Sequence, residues 1–239
     1  MNNNKYFNTF LVLMLFLSCS DNNTKKEYFS NGNLRLIYNI DSNNKRSGQF
    51  KEYHKNGNLY SEGIIFNDTV KVGKWLFYDI NGNKKSVIEY FNIRQQSYVN
   101  QKWIFNQKGD TVGGIYYKMK MKDTISLGEN LRINIVLSRY SISNDSKLYL
   151  CIPKSSYKLK KDFSNEDSIK FDTILNMESL LKNNPKYKGW NHNIVFELAP
   201  SKTGKKNMRG FLLEKKEVES DSIDFLAGKI YFDFNFYVK

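Results

Sequence analysis

The chain has 239 residues and a formal net charge of +13, with 40% hydrophobic and 15% aromatic residues. Only three prolines occur, which excludes long Pro-rich linkers, and 16 Tyr with 17 Phe favour strands, where flat rings pack well on a pleated surface. The positive charge is interleaved with acids, as in Glu214-Lys215-Lys216-Glu217, so it reads as a solvated surface and no nucleic-acid partner is expected.

The chain opens with the polar stretch Met1-Asn2-Asn3-Asn4-Lys5, followed by the apolar run Phe10 to Leu17 and then Ser18-Cys19. That run suits the core of an export signal and is far short of the roughly 20 residues that a membrane-spanning helix needs. A small residue and then cysteine after such a core resembles the bacterial lipobox, with Phe16 standing where Leu is usual. The resemblance implies a signal peptide over residues 1–18, cleavage before Cys19 and acylation of Cys19. Stable anchoring takes two or more acyl chains. Residues 19–26 then form a polar tether, similar to those of Bacteroidota-type lipoproteins. The implied location is the cell envelope, on the periplasmic or surface face of the outer membrane.

Past the tether, a pattern repeats: Glu27-Tyr28-Phe29-Ser30-Asn31-Gly32-Asn33, Glu52-Tyr53-His54-Lys55-Asn56-Gly57-Asn58, and Phe77-Tyr78-Asp79-Ile80-Asn81-Gly82-Asn83. A degenerate copy is Ile104-Phe105-Asn106-Gln107-Lys108-Gly109-Asp110. Its turn glycines, Gly32, Gly57, Gly82 and Gly109, are spaced by 25, 25 and 27 residues. Asn-Gly is the strongest short hairpin signal and predicts two-residue type I′ turns. Gly48-Gln49-Phe50 and Gly73-Lys74-Trp75 precede two of these turns, and Asn100-Gln101-Lys102-Trp103 takes the role without the glycine. These units resemble the MORN-repeat variant found in many bacterial proteins, a family often labelled as antitoxin. The resemblance covers about residues 25–120. It implies consecutive β-hairpins in one elongated sheet, with Tyr28, Phe50, Tyr53, Trp75, Tyr78, Trp103 and Phe105 as packing residues.

The repeat is expected to run over residues 27–122. From residue 125 to 239 the texture changes to longer, partly alternating segments, ending in Phe232-Asp233-Phe234-Asn235-Phe236. These predict a small antiparallel β-sandwich-like domain. One short helix is expected within residues 172–183. The whole chain is therefore expected to be all-β.

Recognisable catalytic chemistry is absent from the sequence. Cys151 lies in the apolar run Leu148 to Ile152 and reads as a buried thiol. Its two histidines, His54 and His192, form no metal-ligand or triad spacing, and Ser201-Lys202-Thr203-Gly204-Lys205-Lys206 reads as a basic turn rather than a phosphate loop. No catalytic residue, metal or cofactor is expected. The expected role is a non-enzymatic binding or structural module, with a membrane contact through Cys19 and a protein or other envelope component as partner. An antitoxin or immunity role and an enzyme with an unrecognised site are the alternatives.

Overall fold

The computed structural model describes residues 23–218 and 225–239. The expected signal peptide, residues 1–18, and Cys19 lie outside the described residues. Eight strands form one antiparallel sheet in chain order: β1 (Thr24–Tyr28), β2 (Leu34–Ile40), β3 (Arg46–Tyr53), β4 (Leu59–Phe66), β5 (Val70–Tyr78), β6 (Lys84–Ile93), β7 (Gln96–Phe105) and β8 (Thr111–Ile115). The last residues of the expected tether, from Thr24 on, are therefore already strand.

The turn glycines Gly32, Gly57, Gly82 and Gly109 all have positive φ, from 84° to 91°. The turn type differs from the expected one. Asn31, Asn56 and Asn81 are absent from the positive-φ residues, and each turn closes by two bonds. In the second turn, His54 N–H donates to the Asn58 carbonyl and Gly57 N–H donates to the His54 carbonyl. That is a β-turn followed by a left-handed glycine, the three-residue hairpin loop with a bulge. The same residues satisfy either turn, and the register of the flanking pair Tyr53–Leu59 decides between them. Adjacent positive-φ residues occur instead at the opposite end of the sheet, at Asn67–Asp68 and Arg94–Gln95.

The asparagines have a further role. Asn31 and Asn33 both donate side-chain N–H groups to the Lys55 carbonyl of the next turn, at 3.3 and 2.7 Å. Asn56 and Asn58 do the same to Ile80, each at 2.9 Å. The Asn-Gly-Asn triplet thus makes a turn and ties it to its neighbour, as nearest-neighbour coupling in a repeat array requires.

One face of this sheet is an aromatic layer. Tyr38, Phe50 and Gly63 share a cross-strand row. Trp75 lies flat over Gly63, where a Cβ would stand 2.4 Å from its ring, and its Nε1 donates to the Ile64 carbonyl at 3.1 Å. Leu36, Phe50, Ile65 and Trp75 form the buried cluster, with Tyr38, Phe77 and Tyr90 against it. Of the expected packing residues, Phe50 and Trp75 are buried, and Tyr53, Tyr78, Trp103 and Phe105 are half-buried. Tyr28, on the edge strand, is 59% exposed and among the described residues has no neighbouring strand on its outer side.

The chain leaves the hairpin sheet after Ile115, earlier than residue 122. β9 (Tyr117–Lys120) pairs not with β8 but with β11 (Leu131–Leu137), and β14 (Asn193–Leu198) completes a three-stranded sheet in the order β14-β11-β9. A five-stranded sheet has the order β10-β16-β15-β12-β13, from β10 (Thr124–Ile125), β12 (Lys147–Pro153), β13 (Phe171–Leu175), β15 (Gly204–Glu217) and β16 (Phe225–Val238). All of its pairings are antiparallel except β10 with β16. Alternate residues of the two sheets meet in one core: Leu131, Ile133, Ile135 and Leu137 against Leu148, Leu150, Leu212 and Phe232. This is a sandwich packed face to face. The helix expected within 172–183 shrinks to α1 (Met177–Leu180), because Ile174 and Leu175 pair with Leu150 and Tyr149 as the edge strand β13. Tertiary pairing overrides a helical spacing of apolar residues there.

Candidate functional site: the junction of the two sheets

Each repeat carries one register shift near its lead-in. The β2–β3 and β4–β5 pairings shift around Gly48 and Gly73, which have φ of 98° and 68°. In the last copy the shift falls between Glu89 and Tyr90, opposite Gln101 and Val99, so Asn100 is the extra residue. A bulge re-aims side chains. Asn100 and Gln101 are both buried, and both reach the sandwich.

Asn100 Nδ2 donates to the Tyr231 carbonyl at 2.9 Å, and its Oδ1 accepts the Tyr231 N–H at 2.7 Å. Its carboxamide occupies the edge of β16 as a paired peptide group would. Gln101 Oε1 accepts the Tyr117 N–H of β9 at 2.9 Å. Two consecutive side chains therefore hold the edges of both sandwich sheets. Glu89 Oε2 accepts from both carboxamides, at 2.9 and 2.7 Å, which fixes their orientation. Nearby, Tyr98 OH donates to the Lys229 carbonyl at 2.6 Å, and Trp103 stacks on Tyr116 with ring centroids 5.5 Å apart.

Beneath this clamp, Phe91, Ile93 and Tyr98 of the hairpin sheet pack on Cys151, Phe163, Phe211 and Tyr231. Glu166, 8% exposed, accepts the Tyr231 hydroxyl at 2.7 Å and pairs with the Lys229 ammonium. Burial and the Glu166 carboxylate together push the Tyr231 phenol far above its ordinary value. Burial also pushes the Cys151 thiol up to about 11. At neutral pH that sulfur is an uncharged thiol, a poor nucleophile.

A crevice of about 260 Å³ runs along the junction between Val99, Lys102, Leu137, Leu212 and Glu214. Burial alone would raise the Glu214 carboxyl. The hydroxyl and N–H of Ser141 and the N–H of Ile142 outweigh it, and the pKa ends below its ordinary 4.5. A group depressed in the folded state stabilises fully above its unfolded pKa and loses that contribution as pH falls through the folded value. Stability should therefore fall on the acid side of about pH 4.5, and Glu214→Gln should flatten that fall. Urea midpoints recorded from neutral pH down through the carboxylate range check it. An acid limb of equal steepness in both proteins refutes the assignment.

The two histidines are far apart in role. His54 Nε2 donates to the Tyr78 carbonyl at 3.3 Å, joining adjacent repeats. His192 packs against Tyr140 at a tilt of 40°, with centroids 4.5 Å apart, and its Nε2 is buried without a partner among the described residues. Burial lowers its pKa, against the pull of Glu214. Gly204 of the basic turn has φ of 96° and opens β15, paired with Val238. Among the described residues no group of three or more His, Cys, Asp or Glu is placed to hold a metal, and no helix is long and apolar enough to cross a membrane. The clamp residues Glu89, Asn100 and Gln101 were not singled out as site residues by sequence reasoning; the missing glycine in the third lead-in was their one visible signal. Comparisons with family models, with curated proteins and with solved structures give no match.

Proposed function

We propose that this chain is a membrane-anchored envelope lipoprotein that acts as a non-enzymatic binding or structural module, built on MORN-variant repeats. Sequence supports the anchor: an apolar run ends in Ser18-Cys19, and only Ser20, Asp21 and Asn22 separate that cysteine from Asn23, whose carbonyl already accepts the Ile40 N–H. A lipid on Cys19 holds the β1 edge within about 14 Å of the membrane surface, the reach of four extended residues.

The observation that carries the non-enzymatic reading is the engagement of the junction carboxylates in the scaffold. Glu89, Glu166 and Glu214 each accept two or more hydrogen bonds or ion pairs, and the Cys151 thiol is buried with a raised pKa. Such groups rigidify a junction. Cys19→Ser should lose fatty-acid label and leave the membrane fraction. Metabolic labelling with a fatty acid decides it, and equal label on both proteins sinks the anchor reading.

A further inference from the structure

A second cleft, of about 470 Å³, opens between the β6–β7 turn and the segment 163–167, sharing Tyr98 and Lys229 with the crevice above. Its walls hold unusual backbone. Among the described residues, six non-glycine residues have positive φ: Asn44, Asn67, Asp68, Arg94, Gln95 and Phe163. Asn and Asp adopt that conformation at little cost, whereas larger side chains do so only where the surroundings enforce it. Two of the three larger residues, Arg94 and Phe163, line this cleft, and Gln95 is the other half of the Arg94 turn. At Arg94 and Gln95 the two-residue turn between the paired Ile93 and Gln96 itself requires positive φ, and it fixes that wall of the cleft.

Its charges are unequal in how firmly they are held. Lys229 faces the buried Glu166, which also takes the Tyr231 hydroxyl. Among the described residues Arg94 pairs only with Asp167, and that pair stands in water, 55% and 74% exposed. An exposed pair is worth little and opens readily. Arg94 is therefore the exchangeable cation of the cleft. Beside it lie the half-buried Ile93 and Tyr98, over Phe163 and Tyr231, which are buried and packed on each other with ring centroids 4.5 Å apart.

We propose that this cleft binds a small monocarboxylate with a flat apolar body. The carboxylate takes the place of Asp167 in the fork of Arg94, where a planar guanidinium offers two parallel N–H donors. The body lies against Ile93 and Tyr98. A single negative charge fits better than a phosphate dianion, because Glu166 and Asp167 both line the cleft. This assignment is independent of acylation at Cys19.

The test is calorimetric titration of the full chain in mild detergent with benzoate, inorganic phosphate and benzylamine. Benzoate should saturate one site, and the other two should not. Arg94→Gln should weaken benzoate about tenfold or more. Asp167→Asn removes the internal competitor and should tighten benzoate about threefold, a gain that a purely structural ion pair would not produce. Asp167 is exposed, so this second variant reads the site even if Arg94→Gln unfolds. No saturation by benzoate, saturation by phosphate or benzylamine instead, equal affinity in a folded Arg94→Gln, or no gain in Asp167→Asn would each overturn the proposal.

Discussion

Replacing Asn100 with alanine is expected to cost about 3 kcal/mol of folding stability, from one exposed-looking letter in a polar stretch. Asn100 is 4% exposed, and its amide is the partner of both backbone groups of Tyr231. Alanine leaves that N–H and that carbonyl unpaired in a buried place, and each such group costs roughly 1–3 kcal/mol. It also removes one of the two donors that hold Glu89 Oε2. Asn100→Asp should be worse, since it sets a second carboxylate against Glu89 and loses the donor to Tyr231. Asn43→Ala, in an exposed turn, should stay within about 0.5 kcal/mol and serves as the control. Urea unfolding followed by circular dichroism measures all three. The clamp also couples the sheets, so the wild type should unfold in one transition and the Asn100 variants should broaden or split it. An Asn100→Ala midpoint equal to that of Asn43→Ala would show that the clamp carries no weight.

Trp75→Ala should cost about 4 kcal/mol, the range for removing a fully buried indole. The ring is 0% exposed, and it meets Phe50 at 5.6 Å, Tyr90 at 6.3 Å and Phe77 at 6.4 Å between centroids. The Lys71 ammonium sits 4.4 Å from its centroid, and burial lowers the pKa of that lysine. Removing the indole leaves a cavity on a sheet face whose cluster has no member from the sandwich, so little can collapse to fill it. Gly63→Ala attacks the same contact from the other side, because a methyl there would stand 2.4 Å from the ring. Thermal melting of the two variants should place both well below wild type. A drop of only a degree or two for Trp75→Ala would mean that the aromatic face is not a core.

Much of the hairpin array was legible because its signals are local. An Asn-Gly pair needs no distant partner to make a turn, and the spacing of Gly32, Gly57 and Gly82 sets strand length directly. The loop class was misread because Asn-Gly serves two hairpin geometries, and pairing register chooses between them. The lateral bonds of Asn33 and Asn58 were invisible, since each partner lies 22 residues away and is a backbone carbonyl, which leaves no mark in the sequence. The same holds for the clamp. Tyr231 is 131 residues from Asn100, and its backbone would accept a carboxamide whatever its side chain. The segment 172–183 failed for a different reason. Its apolar residues fit a helix, but the open edge of β12 took the first of them as a strand.

The place of the clamp within the array has a geometric consequence. Asn100 and Gln101 interrupt only the last copy, while the earlier copies repeat with a constant step and bond turn to turn. Each copy contributes two strands, or about 9.6 Å of sheet width, and six strand spacings separate β1 from β7, about 29 Å. Copy number is thus a ruler between the first strand and the sandwich. One unit inserted between Gly57 and Gly82 would lengthen the span by a fixed increment without touching the coupling at its far end. Reach and attachment are separately adjustable in such a chain, one by counting units and the other by a single irregular step.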